Sequence, residues 1–125
     1  MTEEEIIARG KEMFDRCYGG VIPAPRTIDA KGYSGMSMKM FNDFWGDERL
    51  TFREKRLVVM GVIAGQGADP SAFLTHAKSA LRNGEMSIDE LRAVVLMALP
   101  YAGYPNVSQI NFALEKFIAE RDQTA

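Results

Sequence analysis

The chain is short of the residues that most often carry catalysis or hold metal: it has one histidine, His76, and one cysteine, Cys17, in 125 residues. A single cysteine excludes an internal disulfide and any multi-cysteine zinc site, and it is consistent with a reducing compartment. A lone histidine would leave a metal to carboxylates, and Asp43, Asp47 and Glu48 have no spacing that fixes a ligand geometry; no metal and no cofactor are expected. An excess of charge is also missing. Lysine and arginine number 15 against 17 acidic residues, for a net charge of −2, so nucleic acid finds no basic footprint and is not an expected partner. No apolar run approaches the roughly 20 residues of a membrane-spanning helix. The start Met1-Thr2-Glu3-Glu4-Glu5 has the wrong charge for a secretory or organellar signal. A cytoplasmic protein with no membrane partner is therefore expected. No phosphate-binding loop, Gly-x-Ser-x-Gly elbow, internal repeat or strand-like alternation occurs.

What is present is clear helix punctuation. Thr2 with Glu5, Thr51 with Glu54 and Ser87 with Glu90 match the capping box, in which each side chain satisfies a backbone donor that the first helical turn leaves unpaired. Asp69-Pro70 supplies a cap and a proline at the first helical position, where its missing N–H costs nothing. Asn106 with Gln109 is a weaker version of the same device. Gly19-Gly20, Gly65 and Gly67, Gly84, and Gly103 with Pro105 read as stops. These signals predict helices over 3–18, 35–45, 52–65, 70–83, 88–102 and 107–122, an all-α six-helix bundle forming a single domain over 1–125. Between the first two lies a long connection, 19–34, whose Val21, Ile22, Ile28 and Tyr33 favour burial.

Two of these helices are apolar nearly all round: one with Leu57, Val58, Val59, Met60, Val62 and Ile63, the other with Leu91, Val94, Val95, Leu96, Met97 and Leu99. Such helices must be covered on every side, and six helices of this size can barely do so alone. Self-association is expected, with symmetry as the default. Met60 and Met97 are placed in the core; Met36, Met38 and Met40 suit either core filling or an adaptable binding surface.

His76 stands at the edge of the stripe formed by Phe73, Ala77, Ala80 and Leu81. Its ordinary pKa suits proton transfer near neutrality, and a histidine hydrogen-bonded at a helix interface fits the same position; the residues alone leave both readings open. The junction Pro100-Tyr101-Ala102-Gly103-Tyr104-Pro105 offers phenolic donors beside apolar rings, suited to an oxyanion or carboxylate, or simply two rings packing a tight turn.

The run Leu50-x-x-Arg53-x-x-Arg56-Leu57, then His76-x-x-x-Ala80-Leu81-x-Asn83-Gly84, Ser87-x-Asp89-Glu90-Leu91 and Tyr101-Ala102-Gly103-Tyr104-Pro105 resembles the carboxymuconolactone decarboxylase family, which includes alkylhydroperoxidase D-like proteins. Gly10-x-x-x-Phe14-x-x-x-Tyr18-Gly19 is similar to its N-terminal helix. The resemblance implies an all-α fold in oligomers, usually trimers or hexamers. The peroxidase branch carries Cys-x-x-Cys ahead of the helix histidine; Asp69 and Ala72 stand there in this chain, so a dithiol peroxidase is not expected. The other branch is similar to 4-carboxymuconolactone decarboxylase of aromatic catabolism, a cofactor-independent lyase that releases CO2 from a carboxylated butenolide. That resemblance implies His76 for acid/base work, Tyr101 as donor to the oxyanion and Asp43 as a catalytic carboxylate near the family's Glu before Trp. It implies Trp45, Arg49 and Tyr104 as contacts to a small-molecule substrate. The segment Gly46-Asp47-Glu48-Arg49-Leu50 departs from the family's Arg-Pro-Gly-Leu, which points to a different substrate. The alternative is a non-catalytic member that binds a small molecule or scaffolds an assembly.

Overall fold

The computed structural model describes residues 1–124. It is built from six α-helices: α1 (Glu3–Tyr18), α2 (Tyr33–Met40, continued by a π-helical turn over Phe41–Trp45), α3 (Phe52–Gln66), α4 (Pro70–Arg82), α5 (Ile88–Ala102) and α6 (Tyr104–Thr124). Among the described residues there is no strand. The three capping boxes form at α1, α3 and α5, and Asp69 caps α4 ahead of Pro70. The sixth helix starts earlier than the sequence signals suggested. Gly103 O accepts the first helical bond from Val107 N, so Pro105 lies in the first turn, where no N–H is needed. Asn106 is no cap; its amide donates to Ala102 O.

The chain divides into two compact units, Met1–Lys55 and a second that begins at Arg56, with the break inside α3. In the first unit, α1 packs on α2 and on the π-helical turn. Gly10 makes the close approach possible, because a Cβ there would run into the backbone carbonyl of Met38. Phe14, Tyr18, Phe41, Trp45 and Phe52 form a chain of ring contacts, with centroids from 4.7 Å for Phe14–Tyr18 to 6.2 Å for Phe41–Trp45; such pairs add stability beyond the area they bury. Cys17 is buried completely within this unit. The connection after α1 is held by Asp29, whose carbonyl accepts from Gly32 and Gly35. Val21, Ile22 and Ile28 are half-buried, but Tyr33 is exposed, because it opens α2 rather than closing the loop.

The second unit has one apolar core, in which Met60 and Ala64 of α3 meet Phe73, Ala77 and Ala80 of α4, Leu91 and Val95 of α5, and Val107, Ile110, Leu114 and Ile118 of α6. Each apolar helix buries only one stripe. Val58 and Val62 of α3 and Leu96 and Met97 of α5 are exposed. Met97 is thus not core: the α5 register that turns Leu91 and Val95 inward carries Met97 outward. Of the loop-side methionines, Met38 is buried and Met36 and Met40 are exposed.

Candidate functional site

The most concentrated polar chemistry lies inside the second unit. On α3 the buried stripe runs Arg56, Met60, Ala64, four residues apart on one helix face, so a guanidinium occupies a position that helical spacing reserves for a core residue. Arg56 is completely buried. On α4 the stripe Phe73, His76, Ala77, Ala80 turns the imidazole inward, and His76 is only 6% exposed. The third member comes from the end of α4. Gly84 takes a left-handed conformation, φ 69°, and two bonds close the helix: Glu85 N donates to Ala80 O and Gly84 N to Leu81 O. This is a Schellman turn, which glycine permits at no steric cost, and it delivers Glu85 beside Arg56.

Arg56 binds both partners at once. Its Nε donates to Glu85 Oε1 at 2.7 Å and its Nη2 to Glu85 Oε2 at 3.0 Å, a two-pronged ion pair of the strong kind. Its Nη1 lies 3.0 Å from His76 Nδ1. A guanidinium has only donors, so the imidazole nitrogen is the acceptor. Burial, then the Arg56 charge, push the His76 pKa down from 6.5 to about 4, against a smaller opposing pull from Glu85. The imidazole is therefore neutral at pH 7.

The remaining candidate residues lie apart from this cluster in character. Tyr101 is 84% exposed and Tyr104 73%. Tyr101 lines an apolar groove of about 360 Å³ with Leu57, Gly61, Gly65, Val94 and Met97, which His76 does not line. In the first unit Trp45 is buried and lines a pocket of about 400 Å³ with Arg9, Arg16, Phe52 and Lys55. Lys55 donates to Trp45 O at 2.6 Å, and burial lowers its pKa. Arg49 is exposed and engaged with Asp47, Nη2 to Oδ2 at 2.6 Å. The side-chain bond from Arg49, then the Arg49 backbone N–H donating to Asp47 Oδ1 at 2.9 Å, hold the Asp47 pKa down to about 2. Asp43 is exposed and accepts from the Asn42 amide at 2.9 Å. Among the described residues no group of three or more His, Cys, Asp or Glu could hold a metal ion, and no helix is long and apolar enough to cross a membrane.

A model of the carboxymuconolactone decarboxylase family matches residues 33–116. The chain belongs to this family. The matched region contains Arg56, His76 and Glu85 and leaves α1 outside it. No curated protein and no solved structure matches the chain. Arg56 stands in the run that resembles the family, but one sequence does not pair it or Glu85 with His76. The usable signals were a charged residue in register with Met60 and Ala64, and an acid placed directly after the Asn83-Gly84 stop.

Proposed function

We propose that the protein is a cofactor-independent carbon–carbon lyase acting on a small carboxylated lactone or a related enolisable acid. The observation that carries the reading is the buried His76, held through Arg56 of the Arg56–Glu85 ion pair; the resemblance assigns it to the family's histidine, and the thiols of the peroxidase branch are absent from Asp69 and Ala72. Decarboxylation of such a substrate breaks the bond from the ring carbon to its carboxylate. CO2 leaves, and the electron pair moves through the ring toward the lactone carbonyl, whose oxygen takes the charge. A proton taken up from solvent then adds at the carbon next to that carbonyl and gives the neutral enol-lactone. The enzyme must meet the developing oxyanion with a fixed donor, and a buried imidazole is suited to that task. Asp43, Trp45, Arg49, Tyr101 and Tyr104 remain the proposed substrate-side residues. The exposed tyrosines and the groove beside Tyr101 support a further part of the proposal: copies of this chain associate, as a trimer or hexamer, through the uncovered faces of α3 and α5. The direct test is to incubate the protein with 4-carboxymuconolactone and follow CO2 release. Turnover that His76→Ala abolishes supports the reading, and no release above background refutes the decarboxylase assignment.

The apolar groove also favours a second reading, a non-catalytic member that binds an apolar small molecule or scaffolds an assembly. Saturable binding of an apolar fluorophore, blocked by Gly61→Leu and unaccompanied by turnover, would favour it.

A further inference from the structure

We propose that Arg56, itself held by Glu85, locks His76 as the neutral tautomer with its proton on Nε2, so that His76 serves as a hydrogen-bond donor and not as a general base. The donor role rests on the lyase reading; the tautomer does not. Each donor of Arg56 that matters here has an assigned direction. Nε and Nη2 point at the two oxygens of Glu85, which fixes the plane of the guanidinium. Nη1 then has little freedom, and it lies 3.0 Å from His76 Nδ1. Arginine stays protonated in proteins, so Nδ1 must present its lone pair. The imidazolium and the opposite tautomer would each set one N–H against another inside a site where Arg56 is completely buried and cannot turn toward water. A neutral imidazole with an accepting Nδ1 carries its single proton on Nε2.

The consequence for chemistry is specific. A histidine whose Nδ1 lone pair is already engaged and whose Nε2 is protonated has no basic nitrogen to offer a substrate. Any hydrogen bond that it makes to a substrate oxygen is made through the Nε2–H. A neutral imidazole N–H with its partner fixed in advance is an electrostatic stabiliser of the kind an enolate oxygen requires. Arg56 and Glu85 are positioning residues: they touch the histidine and each other, and act through it.

His76 is the chain's only histidine, so its ring nitrogens can be observed without assignment. In protein labelled with 15N, a long-range proton–nitrogen spectrum at pH 6–8 is expected to show Nδ1 unprotonated and Nε2 protonated, unchanged across the range. A protonated Nδ1, a tautomer average, or an imidazolium appearing at pH 6 would overturn the proposal. In Arg56→Met the lock is removed, and tautomer averaging with titration nearer the ordinary histidine range is expected; a variant that folds and keeps the pure Nε2–H tautomer would also overturn it. If that variant does not fold, the wild-type spectrum decides alone. Where turnover exists, His76→Gln places an amide N–H near the position of Nε2 and is expected to retain more activity than His76→Ala; equal loss would overturn the donor role. Absence of turnover in the wild type would sink the lyase reading and leave the tautomer to the spectrum.

Discussion

Acid should unfold this protein partly through His76, and the size of the effect follows from the site. In the unfolded chain the imidazole takes a proton near 6.5, whereas in the folded protein it does so only at about 4. Between those values the unfolded state binds more protons than the folded one, so stability falls as the pH falls. Above the unfolded value the group contributes no pH dependence, and below the folded value its loss is complete. At about 1.4 kcal/mol per pH unit, the span from 6.5 to about 4 amounts to roughly 3 kcal/mol. That is a large share of the 5–15 kcal/mol by which a domain is usually stable. The assay is urea unfolding followed by helical circular dichroism from pH 7.5 to 4, at one protein concentration, for wild type and His76→Gln. Carboxylates titrate in both proteins, so the difference between the two curves isolates the histidine. A difference that grows by about 3 kcal/mol across the window is expected. Parallel curves would refute the claim that a buried, neutral His76 sits against a fixed positive charge.

Other perturbations have equally definite outcomes. Arg56→Met strands the Glu85 carboxylate, whose side chain is only 11% exposed, and should cost about 3–5 kcal/mol in the same unfolding assay; Arg92→Met, which breaks the exposed pair with Glu115, should leave the midpoint nearly unchanged. Gly10→Ala drives a Cβ into the Met38 carbonyl on the facing helix and should cost about 1–3 kcal/mol. Ser87→Ala removes the capping-box bond to Glu90 N at 3.1 Å and should cost about 1 kcal/mol. Cys17 is fully buried, so a thiol reagent should modify it only as fast as the protein opens, and rapid labelling of the folded protein would contradict its placement.

Helix positions were legible in the sequence because their ends are marked by local chemistry. Thr2, Thr51, Asp69 and Ser87 each act within three residues of themselves, and no tertiary information is needed to read them. The start of α6 was misread because Asn106 resembles a cap while Pro105 tolerates the first turn equally well; only the Gly103–Val107 bond decides between them. Met97 was misplaced for a different reason. In a helix apolar nearly all round, composition does not say which stripe faces inward, and the partner helices set that choice. His76 stood out by rarity, but its chemistry did not. Whether an imidazole acts as a base or a donor depends on what meets its other nitrogen, and here the partner lies 20 residues away on α3, fixed by an acid 29 residues beyond it. Such pairings arise from packing, which leaves little trace in one sequence. The departures at Asp47 and Arg49 were visible, and the structure gives them a local meaning: the arginine is engaged with its neighbouring aspartate.

The proposed function has the buried His76 cluster work on a carboxylated, enolisable substrate. Its most direct measurement is the rate of CO2 release from 4-carboxymuconolactone by wild type, His76→Gln and His76→Ala in parallel. Release by the wild type, reduced in His76→Gln and lost in His76→Ala, is the expected result. No release by the wild type, or full release by His76→Ala, would contradict that function.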